Sequence, residues 1–499
     1  MTKLLENNKR KFEIRFSNRS KILIAIVSSV IALFAWALSS PVGATPDEDY
    51  HLVSIWCGQG DRNALCLSGD KPGQVSVPTA LVVSANCFAF HPENSAACNL
   101  PQSSEFTTTS RSNADSGYPP IFYWTMSLFA SSDIYLSVLT MRLFNALLFV
   151  ALITVTMLLS PRNIRIPVLG GILITAIPLG VFLIPSVNPS SWAIISAATL
   201  WGALMSFFRA DKKSSKWALF ALVIFSTILG AGARSDSAVY SCIALAVAVI
   251  LSWDVARKHV MALIPALLII PIAAYFYLRS GQSSLATSAP VSQGFNWQLA
   301  ISNLTELPGL WVGALGTWGL GWLDTQMPAL VWVTTLTIFS GVAFSGLSRF
   351  NFLKIFALLL LLFSITVIPL YVLVHDNISV GSGVQPRYVY PLLIMIAGVA
   401  LWGASSGQAI FSRLQILIVS LGLAIANSLS LHTNIRRYVT GTGEGGFNLN
   451  KNIEWWWASS PSPMIVWAIG SAAFLVLMVV LANSLWSYAT PSLKKNLIS

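Results

Sequence analysis

Residues 22–38 read ILIAIVSSVIALFAWAL, a run with no charge and only two polar side chains. A helix needs about 20 predominantly apolar residues to cross the hydrocarbon of a bilayer. The residues before the run have the opposite character, with Lys3, Lys9, Arg10, Lys11, Arg15, Arg19 and Lys21. A basic flank followed by an apolar run predicts a first membrane span that leaves the N-terminus in the cytoplasm. The rival reading is a cleaved signal peptide ending at Val42-Gly43-Ala44. The apolar region is long for that, and the cleavage site is poor.

The rest of the chain repeats the pattern. Of its 499 residues 55% are hydrophobic and 10% charged, against roughly 25% charged in soluble domains. Backbone groups in lipid must be satisfied within the segment, so the spans are helices; the alternating ten-residue pattern of a barrel is absent. The reading is an all-α polytopic membrane protein with about 12 transmembrane helices. They are placed at 22–39, 134–158, 166–184, 190–208, 217–232, 238–253, 260–278, 328–347, 355–374, 388–404, 414–431 and 464–484. The weakest are 217–232 and 238–253, which are short. With both termini cytoplasmic, basic residues gather on the inner side and acidic ones on the outer side, as the charge rule for the cell membrane demands. The formal charge of +11 therefore reflects topology, and no nucleic-acid partner is expected. The organisation is a basic segment 1–21, a membrane domain 22–485 and a cytoplasmic tail 486–499, with long outer loops at 40–133, 279–327 and 432–463.

Long loops usually carry function or disorder. The second loop contains the Gly- and Trp-rich stretch Leu307–Trp322, read as a re-entrant or interfacial helix. The third contains Trp455-Trp456-Trp457, which suits the lipid headgroup level or a stacking role. Four of the five cysteines, Cys57, Cys66, Cys87 and Cys98, fall in the first loop. An even set on the exported side reads as two disulfides, with local pairing preferred. Cys242 is left as packing.

The sharpest local feature is Thr45-Pro46-Asp47-Glu48-Asp49-Tyr50-His51, just beyond the first span. Crowded carboxylates at a low-dielectric boundary raise one another's pKa, and one of them could then act as a base. The bland alternative is an acidic helix cap. Cations expected on the same side are Arg142 inside the second span, Arg234 beside Asp236, and Arg387 after Gln385-Pro386. Arg142 could pair with Asp133 or an acid of the first loop. The fork of Arg387 beside Tyr388 suits phosphate oxygens. Asp324 ends the Gly319–Thr325 turn, and Asn188-Pro189 reads as a helix cap.

Taken in order, Pro46-Asp47-Glu48-x-x-His51, Tyr118-Pro119-Pro120, Arg142 with Asn145, Asn188-Pro189, Gly321-Trp322-Leu323-Asp324 and Arg387-Tyr388 followed by Pro391 resemble the bacterial membrane family catalogued as domain of unknown function 2142. That family is similar to the GT-C glycosyltransferases. The resemblance implies a GT-C-like fold and transfer of a sugar from a polyprenyl-phosphate carrier to an envelope glycan, lipid or protein acceptor. It makes Asp47 the first candidate base and Glu48 the second. It gives Arg387 the carrier phosphate, with Arg142 or Arg234 assisting and His51, Asp324, Gln385 and Tyr388 in the substrate site. The cysteine-bearing insert is not covered by it. A divalent cation is conceivable, although no full ligand set is visible. The rivals are a lipid-linked glycan transporter or flippase, which should show inverted repeats and broken helices, and an envelope polymer polymerase or ligase relying on Arg436 and Arg437.

Overall fold

Every predicted apolar run forms a helix in the structure, a computed structural model that describes residues 17–98, 105–257, 263–281, 296–348, 351–403 and 411–489. The basic residues Lys3 to Arg15, and the tail from residue 490, lie outside the described residues. Among the described residues nine helices are long and apolar enough to cross a membrane: Asn18–Leu38, Ile134–Leu159, Arg162–Leu183, Pro189–Arg209, Lys213–Ala231, Ala329–Leu347, Phe352–His375, Arg413–Val439 and Pro463–Leu485. The other three predicted spans are shorter apolar helices, Ser235–Leu251, Ile264–Arg279 and Pro386–Ala400. The chain is thus a multi-pass, all-α membrane protein.

Pro189–Arg209 forms the centre of the bundle. Every residue from Pro189 to Phe208 is buried, as expected of a helix surrounded by other helices rather than facing one core. Asn188 caps it, its Oδ1 accepting from the Ser190 amide at 2.8 Å. The Pro386–Ala400 helix lies against Arg162–Thr175 with almost no space between backbones. A methyl group on Gly171 would sit 2.8 Å from the Gly398 amide nitrogen, so small residues let the two helices approach closely. The Tyr390 hydroxyl closes the same contact by donating to the Thr175 carbonyl at 2.8 Å.

One spanning segment and the expected re-entrant stretch are interrupted. In Arg162–Leu183 the helix breaks at Ile177 (φ −108°, ψ 134°). The expected re-entrant stretch forms a helix Pro308–Val312 that continues to Thr317 and breaks at Gly316, where φ is 107°. That conformation favours glycine because a Cβ would clash with the backbone. Pro178 lies beside Gly316, so the two breaks face each other. The broken helices that a transporter should show are thus present at two places, in stretches whose continuous apolar character hid them. Irregular backbone at membrane depth is tolerated only where protein or a cavity surrounds it, and residues 176–178 and 313–316 are buried.

The first long loop folds into a small structure of its own. Helix Glu48–Trp56 ends at Cys57, which is disulfide-bonded to Cys66 with Cα atoms 5.2 Å apart. An antiparallel sheet follows, Leu67–Ser68 against Val75–Pro78 against Phe106–Thr109, with Val77 opposite Thr107. Cys87 is also disulfide-bonded; the side chain of Cys98 lies outside the described residues. Cys242 carries no disulfide.

This loop meets the other long loops at one end of the bundle. Arg437 is fully buried and donates to Asp324 Oδ2 at 2.8 Å and to the Phe88, His91 and Asn94 carbonyls. Trp322 Nε1 donates to the Gly43 carbonyl at 2.8 Å. Trp457 Nε1 donates to the Leu38 carbonyl at 2.8 Å, which pins the Trp cluster to the end of the first span.

Candidate active site

Pro46 and Asp47 turn the chain from the first span into helix Glu48–Trp56. Asn188 Nδ2 donates to the Pro46 carbonyl at 2.8 Å, fixing the turn to the central helix. Asp47 occupies the N-cap position yet makes no side-chain cap bond, and its φ is 57°. An aspartate there ordinarily accepts from the helix's own first amides. Here the left-handed backbone swings the carboxylate away from the helix and towards two arginines. Oδ2 accepts from Arg387 Nη2 at 2.7 Å and Oδ1 from Arg111 Nη2 at 3.3 Å.

Glu48, the next residue, points the other way. It is 0% exposed and accepts from the Thr45 amide at 2.9 Å and from Arg142 Nη2 at 3.2 Å. Arg142 also donates to the Ala37, Ser40 and Pro41 carbonyls. Of the partners expected for Arg142, the first-loop acid is the one it meets. The pair ties the end of the first span to the second, and its charge is matched internally. Asp49 faces a third direction and accepts from both Arg111 Nε (2.6 Å) and Nη2 (3.0 Å). The three adjacent acids thus point in different directions: Asp47 is turned by its left-handed backbone, and Glu48 and Asp49 are set about 100° apart by the helix they begin.

Arg387 opens its helix and is 4% exposed. Besides Asp47 it donates to the Tyr388 hydroxyl at 3.0 Å, and its carbon lies 5.0 Å from that ring's centre. Its Nε and Nη1 are buried without a hydrogen-bond partner, as is Gln385 Oε1. Buried donors of this kind are costly to leave unmade. All three atoms belong to residues lining a narrow cleft of about 20 Å³ walled by Pro46, Leu179, Phe182, Gly313, Trp318 and Leu323. Both helix interruptions contribute to it. Arg234 lies close by, also over the Tyr388 ring at 4.5 Å from its centre. Its fork is taken by Asp236, at 2.9 Å from Nε and 2.6 Å from Nη2. Asp324, placed in the site from sequence, is instead the partner of Arg437, with 5% side-chain exposure. Arg436 donates to the Gly446 and Asn448 carbonyls.

His51 sits one turn after Asp47 with 1% exposure, its Nδ1 hydrogen-bonded to the Tyr123 hydroxyl at 2.9 Å and its ring edge-on to Tyr50 and Tyr118. Burial lowers its pKa to about 3, with Asp47 opposing and Arg387, Arg234 and Arg111 assisting. Burial works against the charge on Asp47 as well, but Arg387, His51 and Arg111 outweigh it and bring the carboxyl to about 2. Burial pushes the Tyr118 hydroxyl up to about 12. Among the described residues there is no group of three or more His, Cys, Asp and Glu placed to hold a metal ion, because each acid of the motif faces an arginine.

The neutral state of His51 has a consequence for stability. In the unfolded chain it takes a proton near 6.5 and in the folded one only near 3. The folded state is therefore favoured above pH 6.5 and loses that advantage steadily as pH falls from 6.5 towards 3. Replacing His51 by Gln is expected to flatten the acid side of a plot of melting temperature against pH between pH 6.5 and 4.

Residues 30–396 match the family described as "Predicted membrane protein (DUF2142)". The chain belongs to that family. No match was found among curated proteins. Among solved structures, this DUF2142 protein is similar to ArnT from Cupriavidus metallidurans bound to undecaprenyl phosphate. The identity is 11%, covering 94% of this chain and 78% of that one, with a TM-score of 0.43. That score is too low to assign a shared fold.

The site residues missed from sequence are Arg111, Tyr118 and Tyr123 as partners of the acidic motif. Arg111 had no signal, since it stands in a polar loop with nothing in its spacing to point at Asp47. Tyr118 opens the Tyr118-Pro119-Pro120 motif that was singled out, and its packing on His51 gives that motif a physical reason.

Proposed function

We propose that this protein is a membrane glycosyltransferase of GT-C type, working at the outer face of the cell membrane with both termini in the cytoplasm. It takes a sugar from a polyprenyl-phosphate carrier and passes it to an envelope acceptor. The observation that carries the reading is the meeting of Asp47 and Arg387, far apart in sequence, beside a cleft where Arg387 keeps unpartnered donors. An oxyanion would satisfy those donors, and apolar walls formed by Leu179, Phe182 and Leu323 suit the first units of a lipid chain.

In this reading Arg387 binds the carrier phosphate and stabilises the charge that develops as the bond from the anomeric carbon to the phosphate oxygen breaks. Asp47 accepts the proton of the acceptor hydroxyl as its oxygen attacks the same carbon from the opposite side. One displacement with one base gives inversion. A carboxyl held near 2 is a weak base. A phosphate on Arg387 draws off part of the positive field that lowers it, so the binding of donor raises the basicity of Asp47. Glu48 and Arg142 then shape the turn rather than move protons, and Arg234 with Asp236 supports Tyr388.

Purified Asp47→Asn is expected to bind undecaprenyl phosphate as well as the wild type while losing transfer by about 10²–10⁴-fold, the usual contribution of a general base. Binding is read by native mass spectrometry and transfer by label incorporation with membrane-extracted lipid-linked sugars. Undiminished transfer would remove Asp47 from the chemistry. The two interrupted helices facing the cleft favour one second reading, a flippase for the same lipid. It differs in moving the carrier across vesicles without breaking the sugar–phosphate bond.

A further inference from the structure

The first-loop sheet delivers Arg111 to the exposed side of Asp47, and nothing in the transfer reaction as described uses it. Its fork is held by Asp49 at 2.6 and 3.0 Å, which leaves Nη2 also within 3.3 Å of Asp47 Oδ1. Its guanidinium carbon lies 5.8 Å from the ring centre of Tyr50. The two oxygens of Asp47 are thus divided between a buried arginine on one side and a half-exposed one on the other.

The covalent path between the partners is closed. Asp47 starts helix Glu48–Trp56, and that helix ends at Cys57. The disulfide passes to Cys66, Leu67–Ser68 pairs with Val75–Pro78, and Val75–Pro78 pairs with Phe106–Thr109. Arg111 follows two residues after that strand. Each link is a covalent bond or a strand pairing, so the loop fold ties Arg111 to the helix that Asp47 opens, while Asn188 and Arg387 hold Asp47 from the bundle.

We infer that Arg111 is a positioning residue for Asp47. Anchored by Asp49 and framed by the Cys57–Cys66 disulfide, it holds the carboxylate turned from its own helix towards Arg387. The inference rests on the reading of Asp47 as the base, but its test does not need sugar transfer. The other groups around Asp47 are Arg387 from its helix, Asp49, Tyr50 and His51 from the helix that Asp47 opens, and Tyr118 from the segment before residue 121. Arg111 is the member of this set that a substitution can remove without touching the pair Asp47–Arg387.

Dicyclohexylcarbodiimide adds the O–H of a protonated carboxyl group across its C=N bond and leaves ionised carboxylates alone, so it reports which acids carry a proton. The full-length protein in detergent is labelled between pH 5 and pH 7, and the acids are read by peptide mass spectrometry. In the wild type Asp47 is expected to stay unlabelled. In Arg111→Gln its pKa moves back towards the ordinary value of about 3.9, and labelling at pH 5 rises about threefold or more while remaining low at pH 7. Labelling of Glu48 and Asp324, which sit on other arginines, is the same in both. Arg111→Lys keeps the charge without the fork and falls between the two. It is also the deciding variant should Arg111→Gln not fold. Wild-type labelling of Asp47 in the decisive variant overturns the inference, and so does labelling that rises equally at Glu48 and Asp324. Binding of undecaprenyl phosphate by the wild type is measured in parallel. Its absence counts against the sugar-transfer reading and leaves the role of Arg111 standing.

Discussion

Replacing Arg387 by Ala is expected to abolish sugar transfer and remove most binding of undecaprenyl phosphate, while the protein still folds. The reasoning starts with the count of donors. Arg387 is 4% exposed, gives Nη2 to Asp47 and Tyr388, and keeps Nε and Nη1 without a partner. Charge-assisted hydrogen bonds contribute about 1.5–3 kcal/mol each. Two made to a phosphate oxygen would account for a loss of affinity on the order of 10²–10⁴-fold. Transfer falls further if the same contacts tighten as negative charge moves onto the leaving phosphate, a term on the order of 10²–10³-fold for one removed donor. Folding survives because Asp47, with 38% side-chain exposure, keeps Arg111 and water as partners. Arg387→Lys is the informative companion. It restores the point charge but not the fork, so binding returns in part and transfer less. Normal binding by both variants would place the phosphate elsewhere.

The second large effect is on stability. Glu48→Gln leaves Arg142 buried with three carbonyls and no counter-charge. Breaking one side of a buried ion pair costs about 3–5 kcal/mol. The variant is expected to melt well below the wild type and to express poorly. The double replacement Glu48→Gln with Arg142→Met removes both charges and should recover part of the loss, since a buried pair replaced whole is often tolerated. The contrast with Asp47→Asn separates the two acids: one variant folds and fails in transfer, the other fails to fold. A Glu48→Gln protein with normal melting and no transfer would exchange the roles assigned to them.

The membrane architecture was legible because it rests on composition alone. Ile22–Leu38 and the other apolar runs have no alternative to a helix in lipid, and most boundaries came within a few residues; the span read as 414–431 runs on to Val439, so Arg436 and Arg437 stand on a helix rather than in the expected loop. The site was legible only in outline. The sequence placed Asp47, Glu48 and Arg387 as candidates by residue type and order, but which acid faces which arginine is set by the left-handed turn at Asp47. Neighbouring Asp and Glu carry no mark of that turn. Asp324 looked like a site acid because it ends a glycine-rich turn; its burial against Arg437 is a contact between segments more than a hundred residues apart. Arg436 and Arg437, which the polymerase reading would have used, are occupied by backbone carbonyls for the same long-range reason. The breaks at Ile177 and Gly316 were hidden in continuous apolar sequence. Pro178 and the Gly313–Gly316 pair were their only local signs.

The chain's own geometry explains why the motif needs its length. Pro46 is held by Asn188, Glu48 by Arg142 and Asp49 by Arg111, so the acid of the motif left to meet Arg387 is Asp47. A carboxylate placed this way has its orientation fixed before any ligand arrives, which is the condition for efficient proton transfer.

A structure of the wild-type protein with undecaprenyl phosphate tests the central claim most directly. The account predicts the phosphate within hydrogen-bonding distance of Arg387 Nε or Nη1, with Asp47 beside it and the first isoprene units against Leu179, Phe182 and Leu323. A headgroup bound at the opposite end of the bundle, or a cleft left empty at saturating lipid, would contradict it.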